Sequence, residues 1–404
     1  MGTCYEKRGR NGVRCVEKAS RVQYWIPDAR ESKRSTPESW EQPPTGFGVR
    51  SRLSGTRGRR VVCGWAPEAM TSSLEPQSLA EVPVRTVPLK LKLISAAQGV
   101  LLSLFYKKDR VVNRTLINLL SKTEKASATP VDGVSSKDIT IDEVTKQYVR
   151  IFAPAQQEPK KLPLIVYFHG GGFAANGPDI DFFCSLCRAV VRAANAVLVS
   201  VSYRHAPEFP YPTAYDDCFG ALRWLQSDCQ SGGLSSAVDP SQCFLLGDSA
   251  GGNIAHHMMI KAGQNNLGPL QIKGVILIMP FFGGAERTPF EIKTPNALII
   301  PLWTMDWFWD AFLPLGSDRD HEACNVFGPN AEDISGLTLP PILVTIGSLD
   351  CLQDWQVRYV EKLKAMGKQV QVKYTNFAHG EYVFDEPSKK IAADAAQFMK
   401  SLTS

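Results

Sequence analysis

Short apolar runs rich in Val, Ile and Leu alternate with segments of helical spacing, and this alternation constrains the fold more than any other feature of the chain. The runs span 162–169, 196–203, 243–249, 275–280, 342–348 and 370–377, and the helical segments span 181–195, 214–226, 250–263 and 352–367. Strands that are apolar on both faces are typical of parallel sheets covered by helices on each side. The sequence therefore predicts an α/β fold with a mostly parallel central sheet flanked by helices.

Three other segments depart from this rhythm. Residues 138–154 alternate apolar and polar side chains, as an exposed antiparallel pair of strands would. Residues 281–340 are rich in Pro and aromatic side chains, which indicates an insertion that folds over one end of the sheet. Residues 1–69 are rich in Arg, Ser, Gly and Pro without a repeated period. We expect a disordered leader there, either a weak organelle-targeting sequence or upstream sequence, with Met70 as the natural start.

The net charge of +5 is concentrated in the leader and does not indicate a nucleic-acid-binding surface. Of 45 basic and 40 acidic residues, 14 and 7 fall within residues 1–70, which leaves 31 and 33 for the remainder. The nearest approach to a membrane span, residues 93–106, is too short and contains Ser and Gln, so it predicts an amphipathic or core helix. We therefore expect neither nucleic acid nor a membrane as a partner.

Ten cysteines are scattered along the chain, with Cys4, Cys15 and Cys63 in the leader. The other seven are an odd number within apolar stretches, which favours free thiols in a reducing compartment over a disulfide framework. Cys184 and Cys187 form a C-x-x-C pattern in a predicted helix without a redox motif, so we interpret them as buried thiols. These features predict a cytoplasmic protein, with the nucleus as a second compartment.

The pentapeptide Gly247-Asp248-Ser249-Ala250-Gly251 stands between a predicted strand and a predicted helix. This G-x-S-x-G pattern is typical of the sharp turn that lifts a nucleophilic serine clear of a parallel sheet. Glycine at both ends lets the turning backbone pass close to its neighbours, where a side chain would clash. Ser249 is therefore a candidate nucleophile, although the pattern alone also fits a glycine-rich turn with a serine N-cap.

The stretch HGGGF, residues 169–173, follows directly after another predicted strand. Its three glycines let the backbone aim N–H groups at one point, where they can hold an oxygen that becomes negative when a carbonyl is attacked. Ala250 is expected to add its own N–H because it follows the candidate nucleophile. A phosphate-binding loop would need G-x-x-x-x-G-K-[ST], which this stretch lacks. The sequence thus predicts an oxyanion hole at Gly170, Gly171, Gly172 and Ala250.

An acid and a histidine follow the last two predicted strands, at Asp350 and His379. Reacting groups collect beyond the carboxyl ends of strands in an open parallel sheet, and the chain order Ser249, Asp350, His379 is that of α/β-hydrolases. Asp354, one helical turn further, is the reserve acid, although the helix dipole explains it equally well. We interpret the histidines at 205, 256, 257 and 321 as packing or surface residues and His169 as an organiser of its loop.

Several motifs resemble those of the plant carboxylesterase family, a branch of the hormone-sensitive-lipase-like α/β-hydrolases that also contains the gibberellin receptors. The motifs are HGGGF, VSYRHAPE (201–208), YPTAYDD (211–217), GDSAGGN (247–253), FFGGAERT (281–288), GPNAEDISGL (328–337) and GSLDCLQDWQ (347–356). The resemblance runs from about residue 86 to the C-terminus and implies an α/β-hydrolase domain over 86–404. It also implies an N-terminal helical lid over about 86–125 and a cap insertion over about 281–340.

The resemblance also implies roles for individual residues: Ser249, Asp350 and His379 as a catalytic triad, with Gly171, Gly172 and Ala250 as oxyanion donors. In receptor members the third glycine of HGGG is commonly serine and the triad histidine is lost, whereas this chain keeps Gly172 and His379. The resemblance therefore implies an active enzyme. One departure is Glu381, where relatives usually carry an aromatic or apolar residue. A carboxylate there would repel acidic substrates or raise the pKa of the imidazole.

Taken together, the residues and the resemblance predict a soluble serine carboxylesterase that hydrolyses esters of small apolar molecules without a metal or organic cofactor. The candidate substrate-binding residues are Phe173, Asp248, Trp303, Trp307 and Glu381. Two alternatives stay open. One is a receptor-like protein that binds a small molecule without turning it over, and the other is a lyase, cyclase or dehydratase on the same fold. The receptor-like alternative would recruit a partner through its lid, but the sequence does not identify a protein partner.

Overall fold

The computed structural model describes residues 77–155 and 161–403 of the chain. The disordered leader predicted over residues 1–69, its three cysteines and the start predicted at Met70 lie outside the described residues. In the part of the chain that the structure describes, no helix combines the length and apolar character that a bilayer span requires.

Strands and helices alternate along the described residues as the sequence pattern predicts. The strands are β1 (Tyr106–Lys107), β2 (Val111–Val112), β3 (Val134–Asp142), β4 (Gln147–Pro154), β5 (Leu162–Phe168), β6 (Val197–Val201), β7 (Val238–Asp248), β8 (Ile272–Ile278), β9 (Ile342–Gly347) and β10 (Val370–Thr375). The helices are α1 (Leu89–Phe105), α2 (Arg114–Leu120), α3 (Asp181–Ala194), α4 (Thr213–Ser231), α5 (Ala250–Gln264), α6 (Pro289–Lys293), α7 (Leu302–Phe312), α8 (Gln353–Ala365) and α9 (Asp385–Thr403).

One large sheet organises these elements, with eight strands from the described residues in the order β10-β9-β8-β7-β5-β6-β4-β3. The six strands from β5 to β10 pair in parallel, which confirms the mostly parallel sheet. β3 and β4 are antiparallel and correspond to the pair predicted over 138–154. Most of β4 is buried rather than exposed, because it lies between β3 and β6.

Successive side chains of the parallel strands enter two different apolar layers. In β5, Ile165 and Tyr167 belong to the layer that contains α3 and α9. Leu164, Val166 and Phe168 belong to the layer on the other face, which contains α4, α5 and α8. Both faces of the strand are therefore buried, which is why the strand runs are continuously apolar instead of alternating.

Helix α9 was not among the predicted helices, although it covers much of one face of the sheet. Its buried side chains follow helical spacing at Ile391, Ala392, Ala395, Phe398 and Met399. They pack in the same layer as the apolar face of α3. The i, i+3, i+4, i+7 spacing of these residues is the signal that predicts this helix.

The two segments predicted to lie over the sheet each contain helices. The predicted lid, residues 86–125, contains α1, the short β1–β2 hairpin and α2. The predicted cap insertion, residues 281–340, contains α6 and α7. In α7 the indole of Trp309 stacks on Phe281, with ring centroids 4.3 Å apart, so part of the aromatic content of this segment is core packing.

All seven cysteines of the described residues are free, and all are buried. The thiol of Cys184 donates a hydrogen bond to the carbonyl oxygen of Pro178 at 3.3 Å, and burial raises its pKa to about 11. Burial also raises the pKa of Cys187 well above its ordinary value. Both thiols are therefore protonated at neutral pH, as expected for structural cysteines.

Val166→Ala should lower the free energy of unfolding by about 1 to 3 kcal/mol, because it removes buried methyl groups from the centre of the sheet. Val144→Ala is the matched control, since Val144 is 92% exposed in the turn between β3 and β4. We expect the control to change stability by less than about 0.5 kcal/mol. Guanidinium unfolding followed by circular dichroism measures both variants, and equal losses would contradict the assignment of Val166 to the core.

Candidate active site

The four predicted reactive stretches lie at the carboxyl ends of four parallel strands. The HGGG stretch follows β5, Ser249 follows β7, Asp350 follows β9 and His379 follows β10. β5 and β7 are neighbours, β9 and β10 are neighbours, and β8 separates the two pairs. Because parallel strands end at the same edge of a sheet, the four stretches meet above that edge.

Ser249 occupies a strained turn between β7 and α5. Its backbone has φ 52° and ψ −119°, which places a non-glycine residue at positive φ. A Cβ atom on Gly247 would lie 2.1 Å from the carbonyl oxygen of Gly251, and one on Gly251 would lie 1.9 Å from that of Phe168. Close backbone approach therefore explains both glycines of the pentapeptide.

His379 joins the serine to the acid through hydrogen bonds. Its Nε2 lies 2.8 Å from Oγ of Ser249, and its Nδ1 lies 2.9 Å from Oδ2 of Asp350. A carboxylate only accepts hydrogen bonds, so Nδ1 carries the proton and the lone pair of Nε2 faces the hydroxyl. All three side chains are buried. The arrangement can move a proton from the serine to the imidazole.

Two further donors fix the carboxylate of Asp350. The backbone N–H of Leu352 donates to Oδ1 at 2.9 Å, and the amide of Gln356 donates to Oδ2 at 2.8 Å. Asp354, the reserve acid, instead accepts a hydrogen bond from the backbone N–H of Phe290 at 2.9 Å. Asp350 is therefore the acid that contacts the imidazole.

Gly171 and Gly172 of the HGGG loop line the same cavity as Ser249, but the N–H of Gly170 is already used. Gly170 donates to Oδ1 of Asp248 at 2.9 Å, so it is not free to act as an oxyanion donor. Gly171 and Gly172 have φ values of 122° and 60°, which only glycine adopts without strain. Among the described residues, the N–H groups of Gly171, Gly172 and Ala250 have no hydrogen-bond acceptor.

Asp248 is a buried carboxylate that holds the start of this loop. Besides the N–H of Gly170, it accepts a hydrogen bond from the hydroxyl of Tyr167 at 2.5 Å. Burial raises its pKa to about 6, and hydrogen bonds from Tyr167, Tyr382 and Gly170 oppose the rise. A Cβ on Gly170 would lie 2.4 Å from Oδ2 of Asp248, so this carboxylate also explains the first glycine of the loop.

A cavity of about 720 Å³ opens above Ser249. Its walls come from the lid, from residues 171–183, from α7 with the two residues Ile299 and Ile300 before it, and from the loop after His379. The apolar side chains of the wall include Ile94, Leu101, Phe105, Met305, Phe308 and Phe384. A cavity of this size and composition suits a small, largely apolar molecule.

Comparisons with known proteins agree with this fold. A family profile described as the alpha/beta hydrolase fold matches residues 165–383. The gibberellin receptor GID1C of Arabidopsis thaliana is 39% identical over 302 residues, which cover 71% of this chain and 86% of that protein. The chain belongs to the α/β-hydrolase family. Carboxylesterase 20 of Arabidopsis thaliana is 35% identical over 301 residues, which cover 72% of this chain and 91% of that enzyme.

The architecture of this α/β-hydrolase is shared with solved structures of low sequence identity. Carboxyl esterase 2 of the fungus Tuber melanosporum matches with a TM-score of 0.62 and 20% sequence identity, covering 78% of this chain and all of the esterase chain. At this identity the likeness shows the fold alone. The resemblance to plant carboxylesterases and gibberellin receptors is confirmed over most of the chain.

Of the five residues predicted to bind substrate in this α/β-hydrolase, only Asp248 lines the cavity. Phe173 is in the core and stacks on Phe312, with ring centroids 3.8 Å apart. The indole N–H of Trp307 donates to the carbonyl oxygen of Lys107 at 2.6 Å, and the indole packs on the ring of Tyr106. These two aromatic side chains are therefore cap and core packing.

The other two predicted residues also lie away from the cavity wall. Trp303 is 39% exposed at the outer side of α7. Glu381 is buried, and its carboxylate accepts hydrogen bonds from Arg85 at 2.7 Å and from the backbone N–H of Ala378 at 2.9 Å. The residue that does face the cavity next to Glu381 is Tyr382, which sequence analysis did not single out. Its position three residues after His379, in the loop beyond a strand end, is the signal that could have found it.

The remaining histidines of this α/β-hydrolase are packing residues. Nδ1 of His169 donates a hydrogen bond to the carbonyl oxygen of Gly170 at 2.8 Å, and the ring stacks on Tyr203 with centroids 4.3 Å apart. Burial lowers the pKa of His169 to about 4. Burial lowers the pKa of His256 to about 3 and that of its neighbour His257 well below the ordinary value. In the described residues, no group of three or more His, Cys, Asp and Glu side chains could hold a metal ion.

Asp248→Asn should remove a pH-dependent loss of stability. The pKa of this carboxyl is raised from 3.8 to about 6 by burial, so the folded protein holds the proton more tightly than the unfolded chain. The resulting stabilisation is complete below about pH 4 and is lost as the pH rises through about 6, by at most about 3 kcal/mol. Asn does not titrate, and its oxygen can still accept the N–H of Gly170. The free energy of unfolding of the variant should therefore rise relative to that of the wild type between about pH 4.5 and about pH 7.5. Parallel pH curves would contradict this role of Asp248.

Proposed function

We propose that this protein is a serine carboxylesterase that hydrolyses esters of small apolar molecules. The observation that carries the proposal is the hydrogen-bonded chain from Ser249 Oγ to His379 Nε2, at 2.8 Å, and from His379 Nδ1 to Asp350 Oδ2, at 2.9 Å. A weakly acidic hydroxyl becomes a nucleophile when a positioned base takes its proton in the transition state. No metal or organic cofactor takes part in this chemistry.

In the first half of the reaction, Ser249 Oγ attacks the ester carbonyl carbon while His379 Nε2 takes the hydroxyl proton. The carbonyl oxygen becomes negative and accepts hydrogen bonds from the N–H groups of Gly171, Gly172 and Ala250. The carbon–oxygen bond to the alcohol then breaks, and His379 returns the proton to the leaving oxygen. The acyl group stays on Ser249 as an ester.

In the second half, water attacks the acyl carbon and His379 takes one of its protons. The bond to Ser249 Oγ breaks, the proton passes back to that oxygen, and the acid leaves. Asp350 keeps the Nδ1 proton in place and stabilises the positive charge that the imidazole carries between transfers. Leu352 and Gln356 hold the carboxylate in this orientation.

The name of carboxylesterase 20, a relative that the match covers over 91% of its length, supports the reaction class. The apolar cavity supports the substrate class, since aliphatic and aromatic side chains from the lid, α7 and the loop after His379 line it. Gly172 and His379 support turnover, because the proposed mechanism needs the N–H of Gly172 as an oxyanion donor and the imidazole of His379 as the base.

A second candidate function is binding of a small molecule without turnover. The relatives named as gibberellin receptors favour it, since one of them is 39% identical over most of its length. The cavity that would receive an ester would then hold a ligand between the lid and the sheet. The two functions differ in whether the wild-type protein forms and hydrolyses a covalent acyl intermediate on Ser249.

Ser249→Ala should lower the hydrolysis of p-nitrophenyl butyrate by at least about 10⁴-fold, because it removes the nucleophile. Ser241→Ala is the matched control, since Ser241 lies on the same strand, β7, far from its carboxyl end. A fluorophosphonate should label the wild type and the control but not Ser249→Ala. Equal turnover by Ser249→Ala would refute the proposed mechanism. A wild type that is neither labelled nor active but binds a small apolar ligand would support the receptor-like function.

Gly172→Ala should lower kcat by about 10²- to 10³-fold through loss of an oxyanion donor. Its Cβ would lie 2.2 Å from the ring of Phe308, and φ is 60°, so the loop must shift. Gly133→Ala is the control, because Gly133 also has positive φ, at 77°, but has nothing within 4 Å of an added Cβ. Steady-state kinetics on the same ester compares the two variants, and equal kcat values would contradict the role of Gly172.

A further inference from the structure

Residues 77–120, here called the lid segment, form one wall of the cavity and are tied to the body of the protein by polar contacts. Several of these contacts reach α7, its flanking residues or residues 295–300. They are the bond from Ile299 N to Ser95 Oγ at 2.8 Å, from Trp307 Nε1 to Lys107 O at 2.6 Å, and from Arg110 to Leu313 O and to Asp310, both at 3.1 Å. Two other contacts, made by Arg85 and Arg114, reach the loops that carry the proposed catalytic groups.

Arg85 binds the loop of the proposed catalytic histidine. Its Nη1 lies 2.7 Å from Oε1 of Glu381, which is two residues beyond His379. The other oxygen of Glu381 accepts the backbone N–H of Ala378 at 2.9 Å, and Ala378 directly precedes His379. The carboxylate therefore bridges the lid segment and the backbone on both sides of the imidazole.

This bridge depends on Arg85 because Glu381 is taken out of water. The side chain of Glu381 is 7% exposed and that of Arg85 is 23% exposed. A buried carboxylate that loses its cation is left with an uncompensated charge, which favours movement toward water. Movement of Glu381 would release its hydrogen bond to Ala378 and change the position of the imidazole between Ser249 and Asp350.

Arg114 makes a comparable contact with the loop of the proposed oxyanion hole. Its guanidinium donates to the carbonyl oxygens of Ala174 and Ala206 and pairs with Glu208. Ala174 is two residues beyond Gly172, and its N–H donates to the carbonyl oxygen of Gly171 at 3.0 Å. The lid segment thus holds both catalytic loops, one through each arginine.

We propose that Arg85 and Glu381 are positioning residues, which hold His379 in reach of Ser249 only while the lid segment is seated over the cavity. Arg114 supports the oxyanion loop from the same segment. Through Arg85 and Arg114 the lid segment supports both catalytic loops, and it also forms a wall of the cavity. This inference rests on the proposed esterase function, because it assigns the ion pair a role through the catalytic imidazole.

Steady-state kinetics on p-nitrophenyl butyrate tests the role in catalysis. We expect Arg85→Gln and Glu381→Gln each to lower kcat by about 10- to 100-fold, as for a lost charged hydrogen bond, with little change in KM. The double variant should lose no more than either single variant, because both remove the same interaction. Arg85→Lys should retain most of the activity because it keeps the cation.

Arg110→Gln is the matched control. Arg110 is on the same lid segment and also pairs with an acid and a carbonyl oxygen, but its partners, Asp310 and Leu313, are at the end of α7 and away from the catalytic loops. We expect this variant to keep kcat within about twofold of the wild type. Equal losses of kcat in Arg85→Gln and Arg110→Gln would overturn the proposal, since any loosening of the lid would then explain them.

Hydrogen exchange measured by mass spectrometry tests the inference without turnover. Arg85→Gln should speed exchange in the peptide that spans residues 376–384, while residues 138–152 of the distant sheet edge stay unchanged. Unchanged exchange at 376–384 would overturn the inference even if the protein proves to be an active esterase. An inactive wild type would refute the proposed function, whereas faster exchange in Arg85→Gln would still support the contact between the lid segment and this loop.

Discussion

The rest of the site depends on how closely β5 and β7 approach each other at their carboxyl ends. The two strands pair in parallel, with Phe168 opposite Gly247, so the HGGG loop and the turn at Ser249 begin side by side. The backbone of Gly251 then passes so near the carbonyl of Phe168 that no side chain fits between them. This contact between main chains brings the backbone at Ser249 close to the HGGG loop, which holds the proposed oxyanion donors.

Much of this arrangement follows from the sequence, because the features that specify it are local. Continuously apolar runs predict strands buried on both faces, and parallel pairing brings the residues after those runs to one edge. Ser249, Asp350, His379 and the glycine loop were predicted in this way, and the structure places the first three side chains within hydrogen-bond distance of one another along a chain. The prediction of Gly170 as an oxyanion donor was wrong, because the local pattern HGGG does not reveal that its N–H donates to Asp248.

The remainder could not be predicted because it depends on which way a side chain points and on contacts between distant residues. Phe173 and Trp307 carry the right chemistry for a pocket wall, yet each turns into the core, and an aromatic residue has the same appearance in sequence in either place. Arg85 and Glu381 are separated by 296 positions, so the sequence gives no sign that they pair. Glu381 stands out in the sequence as an acid where relatives usually carry an aromatic or apolar residue. Its pairing with Arg85, however, is seen only in the three-dimensional structure.

Helix α1 forms part of the cavity wall with one short stretch of chain. Ile94, Leu101 and Phe105 of this helix line the cavity, whereas the proposed reacting groups follow strands β7, β9 and β10, much later in the chain. A chimera that takes these seventeen residues from a relative would therefore exchange one side of the cavity and leave the proposed nucleophile, base and acid as they are. Ligand preference and reactivity could thus be altered separately, because different segments of the chain supply them.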